Sequence, residues 1–183
     1  KNLIQRGEPM FRYCPSCGSA KIRFEHNKVF HCPDCGFVYY HNTAAATGCV
    51  ISVGEEIILL VRDKEPGRGK LDLPGGFVDP GEGAFEGLRR ECREELGWDP
   101  GPDCVLFASF PNRYPYRNIV YNTCDFFFAV AAPGLKREDL ILEAGEVAEA
   151  LFVKPSELNF DDLAFDSTRR AIKAYMDFIA LKQ

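Results

Sequence analysis

Glu91, Glu94 and Glu95 stand at i, i+3 and i+4 of one segment, so a helix there would carry three carboxylates on a single face. Carboxylates packed this closely repel one another unless a positive charge sits among them. A hard divalent cation that prefers oxygen ligands, Mg2+ or Mn2+, meets that need. Arg90, one residue earlier, can pair with a carboxylate and hold its rotamer. Upstream, Leu73 to Gly83 (LPGGFVDPGEG) repeats Pro and Gly too often for helix or strand and reads as a loop. Glycines there let backbone groups approach a phosphate or a metal closely.

The elements that must hold these groups follow from the flanking residues. Phe85, Leu88, Cys92 and Leu96 recur at helical spacing and predict a core-facing stripe on a helix from Ala84 to Leu96. The carboxylate face lies roughly 100° around from that stripe. Gly97 is placed to end the helix in a left-handed conformation. Ala44–Val53 and Glu56–Arg62 read as strands joined at Gly54-Glu55, with a loop from Asp63 to Lys70. Val105–Ser109 and Ile119–Ala131 are further strands, Ala148–Val153 a short late one, and Pro155 opens a turn or short helix. Ser167 is expected to cap a last helix bearing Ala171, Ile172, Tyr175, Phe178 and Ile179.

The complete pattern is Gly76-x5-Glu82-x7-Arg90-Glu91-x-x-Glu94-Glu95-x-Gly97. It resembles the signature of the Nudix hydrolase family at each fixed position; Cys92 and Trp98 stand where an aliphatic residue is usual. The resemblance implies an α/β/α sandwich with a mixed sheet over about residues 42–183. It also implies hydrolysis of a nucleoside diphosphate linked to another group. On that resemblance Glu94 and Glu95 are principal ligands of the catalytic Mg2+ or Mn2+, and Glu91 is a further ligand or the proton acceptor. Glu82 assists through the metal shell, Arg90 orients a glutamate, and the Gly76 carbonyl completes the coordination. A later acid is often recruited in the family. Glu143, Glu146 and Glu149 are the candidates here, with Glu146 first because Glu146-Val147-Ala148-Glu149-Ala150-Leu151-Phe152 resembles the relatives' late segment.

Eight cysteines fall into two groups. Cys14-Pro15-Ser16-Cys17-Gly18 and Cys32-Pro33-Asp34-Cys35-Gly36 are paired knuckles separated by fourteen residues, a spacing that suits one structural Zn2+ with four thiolates. Lys21 to His31 between them reads as a hairpin turning near His26-Asn27-Lys28, and His26, His31 and His41 are bystanders to a closed shell. Residues 11–41 thus resemble a zinc ribbon, following a leader over 1–10. A thioredoxin-like redox pair would sit in a βαβ unit instead. Cys49, Cys92, Cys104 and Cys124 lack paired spacing and read as buried free thiols.

A ribbon followed by a Nudix domain is similar to the NADH pyrophosphatase branch. That branch carries S-Q-P-W-P-F-P-x-S after the box, where this chain has Ser109-Phe110-Pro111-Asn112-Arg113-Tyr114-Pro115-Tyr116. The missing Gln and Trp leave NADH, ADP-ribose and related nucleotide sugars as equal contenders. Phe110, Tyr114, Tyr116 and Tyr121 are candidates to stack a base, and Arg113 or Arg117 to meet a phosphate or ribose. The alternatives are packing of the sheet or of a dimer interface.

The chain has 183 residues, 46% of them hydrophobic, and a net charge of −5, enough for one ordinary domain plus a small appendage. With no basic block, a general nucleic-acid coat is excluded. Lys21, Arg23 and Lys28 keep removal of a nucleotide cap from RNA as a second reading. A non-catalytic ligand sensor is a third, set against it by the intact glutamates. No apolar run suits a membrane span and no signal-peptide pattern opens the sequence, so a cytoplasmic protein is expected. A homodimer is a further expectation from the resemblance alone.

Overall fold

The computed structural model describes residues 10–117 and 119–181, so the expected leader, apart from Met10, lies outside the described residues. The N-terminal part is a three-stranded antiparallel sheet of β1 (Arg23–Glu25), β2 (Val29–His31) and β3 (Val38–Tyr40). His26 and Asn27 both have positive φ, and Lys28 N–H donates to the Glu25 carbonyl at 3.0 Å, which is a type I′ turn and fixes the hairpin register. Each knuckle closes the same way: Gly18 N–H donates to the Cys14 carbonyl at 2.8 Å and Gly36 N–H to the Cys32 carbonyl at 2.9 Å. Both glycines have φ near +75°, a conformation costly for other residues. Phe30 is buried, with Phe24 stacked at 4.3 Å and Phe11 edge-on at 4.8 Å.

The four sulfurs lie within 4.8 Å of one another, with Cys14–Cys35 and Cys17–Cys32 each at 3.7 Å. A tetrahedron with metal–sulfur bonds of about 2.3 Å has edges of about 3.8 Å, so the cluster fits a zinc ion. One aromatic plug is a small core for so short a segment, and the metal would supply most of its stability.

The larger part is a mixed sheet buried on both faces. Its strands are β4 (Ala44–Val53), β5 (Glu56–Arg62), β6 (Leu71–Asp72), β7 (Val105–Tyr116), β8 (Ile119–Ala131) and β9 (Val147–Val153), in the order β6-β5-β4-β8-β7 with β9 on β5. The β4–β8 pair is parallel and the others antiparallel. Successive residues serve opposite cores. Cys49, Ile51, Ile58, Leu60, Phe128 and Val130 pack under α1 (Ala84–Leu96), whereas Val50, Ile57, Leu59, Phe127 and Ala129 pack under α2 (Asp166–Ala180). This is the expected α/β/α sandwich, and continuous apolar runs are what a doubly covered sheet requires. Among the described residues no helix is long and apolar enough to cross a membrane.

The helix expected over Ala84–Leu96 forms with those bounds, and Gly97 ends it at φ +63°. Two expectations are corrected. The strand expected over Val105–Ser109 does not end there: β7 runs on to Tyr116 and pairs with β8 through Tyr116↔Ile119. Pro111 and Pro115 are tolerated because β7 is an edge strand. Ser167 does not cap α2; Phe165 holds that position and Ser167 is buried in the first turn. The short β6 and β3 carry no periodic signal and escaped the sequence reading.

Zinc bound by the cluster should be released stoichiometrically when the thiols are titrated with a mercurial. Cys14→Ser should abolish it and expose the Phe24–Phe30 amides to rapid hydrogen exchange, while β4, β5 and β8 keep their protection. Protein that folds with the same ribbon protection in the absence of any metal would contradict this account.

Candidate active site

β4 and β5 touch only through Ser52↔Ile57 and Val53↔Glu56 and then diverge. The edge of β4 so exposed is covered by the glycine-rich loop. Cys49 N–H donates to the Pro74 carbonyl at 2.9 Å, Thr47 N–H to the Gly76 carbonyl at 2.8 Å, and Val78 N–H to the Ala45 carbonyl at 3.0 Å. The approach leaves no room for side chains. A Cβ on Gly75, at φ +141°, would lie 2.2 Å from the Thr47 oxygen, and one on Gly76 would lie 2.6 Å from the Glu91 carboxyl carbon. The loop is thereby pressed between β4 and the carboxylate face of α1.

Arg90 organises that face. Its Nε and Nη2 reach the Glu82 carboxylate at 2.8 and 3.1 Å, and Nη1 reaches Glu91 at 2.8 Å and Glu94 at 2.9 Å. Nη2 also donates to the Phe77 carbonyl at 2.9 Å, tying loop to helix. These bonds, to Glu82 above all, raise the guanidinium further above its ordinary value. In return Arg90, with the Asp79 N–H, holds Glu82 below the usual carboxylate range. Glu91 moves the other way, because its burial outweighs Arg90.

Glu95 is the most enclosed member of the set, 7% exposed. It accepts the Gly75 N–H at 2.8 Å, yet burial, with Glu91 and Asp72 nearby, pushes it up to about 8. A buried carboxylate facing other acids suits a divalent cation, so Glu91, Glu94 and Glu95 fit a hard metal ion. The Gly76 carbonyl already accepts from Thr47 and keeps a second lone pair free for such an ion.

Glu91 and Glu95 open onto a cavity of about 200 Å³ whose lining includes Lys64, Gly76, Phe77, Tyr114 and Phe165. Of the expected substrate contacts, Tyr114 lines it. Phe110 faces the α2 core beside Phe127, with Arg170 over its ring at 4.2 Å. Arg113 is exposed and off the cavity, and Tyr116 is exposed at the strand end, stacked 6.5 Å from Tyr114. The strand period puts Arg113 on the face opposite Phe110, Tyr114 and Tyr116, which share a face at different points along β7. Glu146 pairs with Lys64 and so meets the cavity through that lysine, while Glu149 is held by Arg137 at 2.8 Å. The sequence reading did not find Arg62, Lys64, Asp72, Thr123 and Asp125, which line the same cavity. Their types are ordinary for strands and loops, and no spacing marks them.

Comparison with known proteins agrees with this geometry. Residues 42–175 match the family model described as the NUDIX domain. The chain is 34% identical over 140 residues to an ADP-ribose pyrophosphatase of Methanocaldococcus jannaschii, covering 76% of each protein. It is 33% identical over 91 residues to the NAD-capped RNA hydrolase NudC of Stutzerimonas stutzeri, covering 50% of this chain and 33% of that protein. The match thus spans about a third of the length of that curated relative. Among solved structures, a NUDIX hydrolase from Nitrosomonas europaea superposes with a TM-score of 0.64 at 24% identity over 91% of both chains. The NUDIX domain of Shewanella oneidensis NrtR complexed with ADP ribose gives 0.62 at 15% identity, over 81% of this chain and 94% of that one. At these identities the two structures show the fold alone.

The raised Glu95 makes a signed prediction. Folded protein holds a proton on Glu95 up to about pH 8, while the unfolded chain releases it near 4.5. The associated stability is complete below about pH 4.5 and is lost as pH rises through about 8. Protein without added divalent cation should therefore lose stability over that window relative to Glu95→Gln. The expected difference is on the order of a few kcal/mol, at about 1.4 kcal/mol per tenfold change in acidity. Parallel denaturation curves for the two proteins across the window would contradict it.

Proposed function

This chain belongs to the Nudix hydrolase family, and on that footing we propose that it cleaves the diphosphate of a nucleoside diphosphate linked to a second group. NADH, ADP-ribose or a similar compound is the substrate, and AMP and a second monophosphate are the products. The observation that carries this reading is the buried Glu95 beside Glu91, both facing a cavity with aromatic walls and held in place by Arg90 and Gly75. Glu91, Glu94 and Glu95, with the Gly76 carbonyl, would hold Mg2+ or Mn2+, and Glu82 would support the set through Arg90. When bound, such an ion neutralises phosphate charge and makes water more acidic.

The protein's own groups do the rest. One glutamate of the set, Glu91 or Glu95, accepts the proton as the water oxygen bonds to phosphorus and the bridging P–O bond breaks. Arg90 keeps these carboxylates in register. Lys64, on the cavity wall, offers a cation to the diphosphate, and its pairing with Glu146 sets its position. The similarity to an ADP-ribose pyrophosphatase over 76% of both chains supports a small nucleotide substrate.

Removal of a nucleotide cap from RNA is a second reading, favoured by the name of the NudC relative. One of the three ribbon cations that would hold a strand is already engaged, since Lys21 pairs with Asp34 at 3.0 Å.

Product analysis by mass spectrometry with Mg2+ or Mn2+ distinguishes these readings. AMP and a second monophosphate should form from NADH or ADP-ribose, with turnover falling at least about 100-fold in Glu95→Gln. Faster release from NAD-capped RNA than from free NAD, lost steeply with added salt, would favour the cap. Zinc-loaded, folded protein that cleaves none of these would overturn the hydrolase reading.

A further inference from the structure

Among the described residues, four buried side-chain atoms have no hydrogen-bond partner on the protein: Thr47 Oγ1, Arg62 Nη2, Thr123 Oγ1 and Asp125 Oδ1. They come from β4, β5 and β8, yet all four residues line the cavity that also contains Glu91 and Glu95. Asp125, Thr123 and Thr47 are each more than nine-tenths buried. Isolated orphans of this kind are costly and uncommon, and four in one cavity indicate a ligand that satisfies them together.

The neighbours of these atoms are already engaged. Asp72 is occupied by Arg62 at 3.1 Å, Thr168 Oγ1 at 2.7 Å and the Leu73 N–H at 3.0 Å. Arg62 is locked by that ion pair, by the Pro66 carbonyl at 2.8 Å and by the Phe165 ring at 5.0 Å, with Nη2 left over. An ionised Asp125 can only accept, Nη2 can only donate, and the two threonine hydroxyls can do either. A phosphate does not suit this end, because Asp125 and Asp72 line it. Beside the polar floor, Phe77, Tyr114 and Phe165 form one wall, with successive centroids 5.2 and 5.4 Å apart. Such a wall suits a flat ring better than a sugar. At about 200 Å³ the space falls below the roughly 300–1,000 Å³ that encloses a drug-sized ligand, so it takes one end of a dinucleotide.

We propose that this cavity reads the heterocycle at one end of the substrate, with Asp125 accepting from its N–H and Arg62 Nη2 donating to an adjacent ring nitrogen or carbonyl. Thr123 and Thr47 complete the hydrogen-bonded edge. A purine and the carboxamide of nicotinamide both present that donor–acceptor edge. The inference deepens the proposed function and rests on it, since the diphosphate must lie at the Glu91–Glu95 end.

Calorimetric titration of the full chain tests this with mononucleotides, which have no diphosphate bond to cleave. The probes are AMP, purine riboside 5′-monophosphate, inosine monophosphate, nicotinamide mononucleotide and ribose 5-phosphate. At least one base-bearing probe should bind about 10- to 100-fold more tightly than ribose 5-phosphate. Preference for AMP over purine riboside monophosphate would identify the exocyclic amino group; preference for nicotinamide mononucleotide would identify the carboxamide. Asp125→Ala and Thr123→Val should erase the preference while leaving Tm unchanged or higher, because each removes an unsatisfied buried group. Equal binding of all probes, or a preference that survives both variants, would overturn the proposal. So would variants that lose Tm and keep the preference, since Asp125 and Thr123 would then be structural. Base preference without hydrolysis of any dinucleotide would instead fault the proposed function and leave this subsite standing.

Discussion

Arg90 is the point on which the rest of the site depends. One guanidinium satisfies Glu82, Glu91 and Glu94 and, through the Phe77 carbonyl, fixes the loop against the helix. Without it, Glu91 and Glu94 on α1 and Glu82 in the loop would be left without their shared cation, and the loop would lose its tie to α1. A planar fork can serve several partners at fixed angles, which a lysine ammonium cannot. The same bonds leave Glu95 outside the network, next to Gly75 and in the lowest-dielectric position. One carboxylate is thus kept poorly solvated among acids whose charges Arg90 has largely neutralised.

The sheet supplies the second constraint. Because β4 and β5 part after two residue pairs, a loop can lie along β4 and bring its backbone to the carboxylate face. Gly75 and Gly76 are glycines because the Thr47 backbone and the Glu91 carboxylate occupy the space a side chain would need. The cavity is lined from the same parting strands, so the carboxylate face and the orphaned polar floor are two ends of one opening. Stability is sacrificed at that floor, where Thr47 Oγ1, Arg62 Nη2, Thr123 Oγ1 and Asp125 Oδ1 are buried without hydrogen-bond partners.

Legibility in the sequence followed the range of the interactions. The box helix, its Gly97 terminus, β4, β5 and the paired cysteine knuckles depend on nearby residues, and their spacing gave their bounds or their chemistry directly. Tyr114 and Arg113 illustrate the limit. Both were reasonable substrate contacts by type, but pairing with β8 extends the strand through them and sends them to opposite faces. Asp125 and Thr123 carried no signal at all. Their place in the cavity depends on the parallel register of β8 beside β4 and on a gap opened by the departure of β5. Ser167 is a similar case: a good capping residue by type, it was drawn into the helix and buried against the cavity.

The central claim is that α1 and the glycine loop together build a divalent-metal site around Glu95. Anomalous diffraction from crystals soaked in Mn2+ addresses it directly. The account predicts a manganese peak within coordinating distance of Glu95 and Glu91, on the side of the Gly76 carbonyl, and its loss in Glu95→Gln. Manganese bound only at Asp72 and Asp125, or retained beside Glu91 in that variant, would contradict it.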